Sequence, residues 1–159
     1  MVQPLELFLF KGCDTILCQQ SYSLLLKRLP SISQSIIAHT EKRLGSELSK
    51  NVEVNVVIGD GRVVRGMNKR FRGVDQATDV LSFPLDGSVL GEVWVCPPVI
   101  SRNAIDFGQE YEIELVRVLV HGILHLYGFD HRKSFIKDGG ENEEIFQIQE
   151  RIVSEIQMK

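Results

Sequence analysis

Cysteine is scarce in this chain of 159 residues: Cys13, Cys18 and Cys96 are the only three, and no two form a C-x2-C pair. An odd set without paired spacing argues against a disulfide framework and predicts reduced thiols in a cytosolic protein. Cys13 and Cys18 read as structural or incidental. No run of 18 apolar residues occurs, so no segment is expected to span a membrane. The apolar stretch LELFLF (5–10) is short and interrupted by Glu6. It has no basic region before it and no small-residue cleavage site after it, so a secretion signal is not expected. A charge excess is also missing: 18 Lys and Arg against 21 Asp and Glu leave a net charge of −3. Any nucleic-acid contact must therefore rest on a local patch. Histidine is rare as well, with four residues.

The rest of the composition is ordinary, 43% hydrophobic and 25% charged, as in a globular chain that forms one domain over 1–159. LELFLF and VEVNVVI (52–58) read as strands. Residues 15–29 are ambiguous, Pro30 breaks the pattern, and Ser33 caps a helix over about 34–48. Asp60 caps the next helix, whose core face is Val63, Met67 and Phe71. TDVLSFP (78–84) and residues 89–96 form strands joined by the turn Asp86-Gly87-Ser88. Pro97-Pro98 closes the sheet region. Helices are expected at Glu110–Leu126 and from Glu141 to about Gln157, with a polar loop at 132–140. Strands and helices mix without strict alternation. The expected fold is α+β: a mixed sheet of about four strands with packed helices, one of them a zincin-like helix carrying a metal site.

Three of the four histidines lie in HGILHLYGFDH (121–131). His121 and His125 are one turn apart on one helix face, so both imidazoles can meet one ion. Gly128 stands where a helix ends in a left-handed residue, which gives His131 a route back to the same point. Three neutral imidazoles suit zinc, and also nickel, copper or iron. A fourth position left to water is the pattern of a catalytic zinc site. Glu114 lies two turns before His121 and is a candidate for orienting an imidazole or acting on water, or a first-turn glutamate favoured by the helix dipole. His39 has no assigned role.

The spacing H-x3-H-x2-G-x2-H is that of metzincin proteases, which need a glutamate directly after the first histidine. Here that residue is Gly122, which cannot take a proton. Arg62, Arg65, Lys69, Arg70 and Arg72 meanwhile make segment 62–72 basic, with no acid between Gly61 and Val74. Such runs are usually solvated helix faces. Beside a metal site without a protease base, phosphodiester chemistry becomes the better reading.

HGILHLYGFDH resembles the signature of the YbeY family, bacterial endoribonucleases of rRNA maturation. MNKRFRGVDQATDVLSFP (67–84), LGEVWV (90–95) and IFQIQERIV (145–153), with its F-x-x-Q-E pattern, resemble further blocks of that family in the same order. The resemblance implies that His121, His125 and His131 hold the metal, usually zinc. It implies that Arg72 engages the scissile phosphate, and that Thr78, Asp79, Ser82 and Phe83 border substrate, although Phe83, with Val80 and Leu81, reads rather as sheet core before a proline stop. Arg62, Arg65 and Lys69 are candidate substrate contacts. The implied role is a cytoplasmic, metal-dependent, single-strand-specific endoribonuclease acting in 16S rRNA 3′-end maturation and ribosome quality control. The implied partners are the small ribosomal subunit, one of its proteins, and the Era GTPase. Val74 and Glu92 depart from the family pattern, which often has lysine and aspartate there. The rivals are an assembly factor whose metal is structural and, more remotely, a metzincin-like protease.

Overall fold

A computed structural model describes residues 5–10, 13, 15–44, 53–87, 89–129 and 140–157. Four strands, β1 (Leu5–Leu9), β2 (Glu53–Ile58), β3 (Val80–Pro84) and β4 (Val89–Val95), form one sheet in the order β1-β2-β4-β3. β1 and β4 run parallel to β2, and β3 runs antiparallel to β4, pairing Ser82 with Val93. The sheet is mixed and β3 forms one edge. The helices among the described residues are α1 (Ile16–Leu44), α2 (Gly61–Arg72), α3 (Pro97–Asp106), α4 (Tyr111–Leu126) and α5 (Gly140–Gln157).

Strand periodicity divides the apolar side chains between two cores. Val54, Val56, Ile58, Val93 and Val95 face one way and pack with Leu25, Ile32 and Ile36 of α1, Leu119 and Ile123 of α4, and Ile145 and Ile152 of α5. Alternate residues Val57, Leu81, Trp94 and Cys96 face the other way and pack with Val64 of α2 and Val99 of α3. The two central strands are therefore apolar on both faces, as VVI and VWVC require. The result is the expected α+β architecture.

Four expectations change. α1 runs without interruption through Pro30. A proline inside a helix costs about 3 kcal/mol through its missing donor and its clash with the preceding turn. Against that stands the buried stripe Leu25, Leu29, Ile32 and Ile36, one apolar face that two separate helices could not keep in phase. Ser33 is accordingly a buried residue within the helix rather than a cap. Pro97-Pro98 does not merely close the sheet but starts α3, where a missing N–H does no harm. In α2 the deeply buried residues are Val64 and Asn68, while Val63 and Met67 are partly buried and Phe71 is 60% exposed. Finally, Cys13 and Cys18 are joined as a disulfide rather than standing as free thiols. The third cysteine, Cys96, is free and buried, and burial pushes its thiol up to about 11.

The Asp60 cap forms as expected: its Oδ1 accepts from the Val63 N–H at 2.9 Å. Asp60→Ala should destabilise the protein by about 1 kcal/mol, read in thermal denaturation as a Tm lower by about 2–4 °C. An unchanged Tm would mean that the cap contributes nothing to α2.

A histidine pair on helix α4 as candidate metal centre

α4 owes its polarity to sequence. Glu112 and Glu114 occupy its first turn and His125 its last, both favourable to the helix dipole. Its end is a Schellman motif. The Gly128 N–H bonds to His125 O at 3.0 Å, the Phe129 N–H bonds to Leu124 O at 3.1 Å, and Gly128 takes φ +90°. The buried side chains Phe129 and Leu124 complete the motif. The left-handed glycine reverses the chain directly after the histidine pair. His131 and residues 132–139 of the expected loop lie outside the described residues, while Gly140, read as loop, begins α5.

Within α4, Nε2 of His121 and Nε2 of His125 are 2.9 Å apart, with ring centroids at 4.6 Å and planes at 83°. Two imidazoles on one tetrahedral zinc would hold their nitrogens about 3.3 Å apart, from Zn–N bonds of about 2.0–2.1 Å. The pair thus converges on one point with nearly the required spread, and both rings are half-buried. Neutral imidazole nitrogens are also the right donor type for zinc or a neighbouring transition metal. The described pair, at hydrogen-bonding distance, supplies two donors of the right type for such an ion, and among the described residues no third His, Cys, Asp or Glu joins them.

His121 is held from α5. Its Nδ1 meets Oε1 of Gln149 at 2.7 Å, and the Phe146 ring stacks on it at a centroid distance of 5.9 Å and 29°. Gln149 is 4% exposed. Its Nε2 donates to Glu150 Oε1 at 3.2 Å. Arg117 donates to both Glu150 oxygens, at 2.7 and 3.2 Å, and to Glu114 at 2.7 Å. The Arg117 hydrogen bond holds the Glu150 carboxyl below its usual range. Glu114, buried on the same stripe as His121, therefore has its Oε2 on Arg117, and the residue bonded to the histidine is Gln149. Sequence reasoning missed Gln149 and Phe146 as site residues. Their only signal was the F-x-x-Q-E block, because the packing of α5 on α4 is invisible to helical periodicity.

Gly122 has a second meaning. A Cβ there would meet Val93 Cγ1 at 2.6 Å, Val80 Cγ2 at 2.9 Å and Ser82 Oγ at 3.1 Å. The position after the first histidine faces the sheet, not the histidines. Ser82 Oγ donates to the Gly122 carbonyl at 2.8 Å, so Ser82 ties edge strand β3 to α4.

The basic helix α2 lies on the other face of the sheet, packed through Val64 against Leu81 and Trp94. Arg72 ends it, exposed, with Gly73 following in the left-handed conformation at φ +73°. The end of α2, through Phe71 on Phe83, and α4, through Gly122 on Ser82, thus flank β3 on its two faces. Two of the basic candidates carry a partner: Asp75 accepts from Arg65 at 2.8 Å and faces Lys69 Nζ at 3.5 Å. The Arg65 hydrogen bond holds the Asp75 carboxyl below its usual range. Arg62, Arg70 and Arg72 are exposed on that helix, Arg70 lying 5.4 Å from the Phe71 ring centroid. Phe71 and Phe83 stand edge to face at 5.2 Å. Thr78 Oγ1 donates to Asp79 Oδ1 at 3.2 Å. Glu92 accepts from the Trp94 indole at 2.9 Å. His39 pairs with Glu155 at 2.9 Å and so links α1 to α5, away from the pair.

A family model described as Endoribonuclease YbeY matches residues 16–157. The chain belongs to the YbeY family. Among curated relatives, an Endoribonuclease YbeY of Thermotoga maritima is 37% identical over 131 residues, 82% of this chain and 81% of its own. One from Thermotoga neapolitana is 42% identical over 103 residues, 65% of this chain and 66% of its own. Among solved structures, a solution structure of a Thermotoga maritima protein matches at a TM-score of 0.63 and 31% identity, covering 96% of this chain and 88% of that one. The YbeY match spans both α2 and α4, and so includes Arg72 and the histidine segment. No described helix is long and apolar enough to cross a membrane.

Proposed function

We propose that this YbeY-family chain is a metal-dependent endoribonuclease of single-stranded RNA. In this reading it acts in the cytoplasm, in 16S rRNA 3′-end maturation and ribosome quality control. Its proposed partners are the small ribosomal subunit, one of its proteins, and the Era GTPase. The observation that carries the chemistry is the convergence of His121 and His125 at 2.9 Å, directly before a chain reversal that precedes His131. These three histidines would hold one zinc ion, or another divalent transition metal. The metal supplies Lewis acidity toward water and phosphoryl oxygens.

The chain's own groups do the rest. Glu114 and Gln149 orient the histidine stripe, Glu114 through Arg117 and Glu150. Arg72 can hold a phosphate through two parallel N–H donors and stabilise charge growing on its oxygens. β3 is a sheet edge flanked by the end of α2 and by α4, and RNA laid along it would meet Arg72 from one and the histidines from the other. Ser82 lies on that strand, and Arg62, Arg65 and Lys69 extend the basic helix behind Arg72. Asp75 screens Arg65 and Lys69, so Arg62 and Arg72 carry more of the contact. Protease chemistry is disfavoured, because the residue that would supply its base faces the sheet.

Purified, nuclease-free protein given single-stranded RNA and peptide substrates, with and without chelator, tests the reading. Chelator-sensitive RNA cleavage supports it. RNA binding without cleavage favours an assembly factor, and metal-dependent peptide cleavage overturns the proposal. Arg72→Ala should slow RNA cleavage about 10²–10³-fold while leaving Tm nearly unchanged, since the residue is exposed. Arg72→Lys should recover only part, having charge without the planar fork. Wild-type rates in Arg72→Ala would remove this residue from the mechanism.

A further inference from the structure

We propose that Gln149 is a positioning residue that selects the Nδ1–H tautomer of His121, presenting Nε2 as its metal-binding nitrogen. The inference rests on the reading of His121 as a metal ligand. Neutral imidazole carries its proton on either nitrogen, and the partner of one nitrogen decides which. A glutamine amide alone does not decide, because its oxygen and nitrogen can exchange places. Here the exchange is blocked. Arg117 donates to both oxygens of Glu150, and a carboxylate held in that way accepts only. The end of the Gln149 amide that faces Glu150 Oε1 at 3.2 Å must therefore be the NH2. The end facing His121 Nδ1 at 2.7 Å is then the carbonyl oxygen, which cannot donate. The proton must sit on Nδ1, and the lone pair on Nε2, the nitrogen directed at His125.

Burial makes the selection effective, since Gln149 is 4% exposed and water competes poorly for its amide. Phe146, one turn earlier on α5, stacks on the same ring and opposes its rotation. A half-exposed ion pair between Arg117 and Glu150 thus sets the proton position at the candidate metal centre through one buried amide.

The test uses the full chain and two readouts, zinc affinity by chelator competition and the His121 tautomer by long-range nitrogen–proton NMR of the zinc-free protein. Gln149→Met, similar in size but without the acceptor, should lower zinc affinity about 10–100-fold and abolish the Nδ1–H signature. Gln149→Glu combined with Glu150→Gln keeps an acceptor on His121 and sets an amide donor beside it in place of the carboxylate, so this double variant should keep both the signature and zinc affinity at or above that of the wild type. Glu150→Gln lets the amide turn either way, and should give mixed tautomers and an intermediate affinity. It also serves if Gln149→Met folds poorly. Unchanged affinity and an intact Nδ1–H signature in Gln149→Met, or in Glu150→Gln where that variant stands in for it, would overturn the proposal. So would a loss in the Gln149→Glu, Glu150→Gln double variant equal to that in Gln149→Met. Wild-type protein that binds no zinc would sink the metal reading, while the tautomer signature would still judge the role of Gln149.

Discussion

Replacing His125 with alanine is expected to abolish chelator-sensitive RNA cleavage while leaving the protein folded. His125 sits in the last turn of α4, half-buried, with its Nε2 2.9 Å from that of His121. Alanine is the best helix former, so the backbone of that turn should persist. The imidazole is what is lost, and with it one of the converging donors. A metal contributes several kcal/mol of transition-state charge stabilisation, so the rate should fall by about 10³-fold or more. Zinc should no longer bind stoichiometrically, and the circular dichroism spectrum should match the wild type. If His125→Ala still cleaves RNA at the wild-type rate, and chelator still stops it, the histidine pair is not the metal centre.

Installing the missing protease glutamate, Gly122→Glu, is expected to unfold or severely destabilise the protein rather than confer peptidase activity. The Cβ alone would stand 2.6 Å from Val93 Cγ1 and 2.9 Å from Val80 Cγ2. Both obstacles are β-branched side chains on strands, stiff at χ1 and held by the sheet, so neither can swing away at little cost. Gly122→Ala should lose about 1–3 kcal/mol to overpacking, against which the better helix propensity of alanine returns about 1 kcal/mol. Glutamate adds a buried charge without a partner, and its cost is larger again. Against a stability of about 5–15 kcal/mol for a whole domain, the glutamate variant should show a large drop in Tm or no cooperative transition. The double variant Gly122→Ala with Val93→Ala should recover part of the single-variant loss, as neighbours that clash are coupled. A Gly122→Glu protein with wild-type Tm would show that α4 can lift from the sheet, and the packing account would fail.

Gly122 also shows how one letter can be read in two ways. In sequence it is the absence of a general base. In the fold it is the point where α4 lies flush on β3 and β4, and any side chain would be in the way. Both readings count against the protease, but only the second explains why the position is a glycine. Phe71 shows the opposite case. Its spacing with Val63 and Met67 reads as a core face, yet it is 60% exposed, because α2 packs through Val64. A helix period gives the width of an apolar stripe but not which edge of it meets the sheet.

Local chemistry was legible wherever a residue's partner is close in sequence. The Asp60 cap, the left-handed Gly128, the turn at Gly87, the two faces of β2 and β4, and the one-turn spacing of His121 and His125 depend on neighbours a few positions away. The backbone geometry of helices, strands and turns relates such neighbours directly. What tertiary structure alone decided lies beyond such local geometry: α1 continuing through Pro30, Asp75 folding back on Arg65, and Phe71 meeting Phe83 on the sheet face opposite α4. To these belongs Gln149, 28 residues from His121 and bonded to its ring. No periodicity relates positions that far apart. Their meeting is set by which helices pack together, and the free energy that selects that packing belongs to the whole core rather than to any one segment.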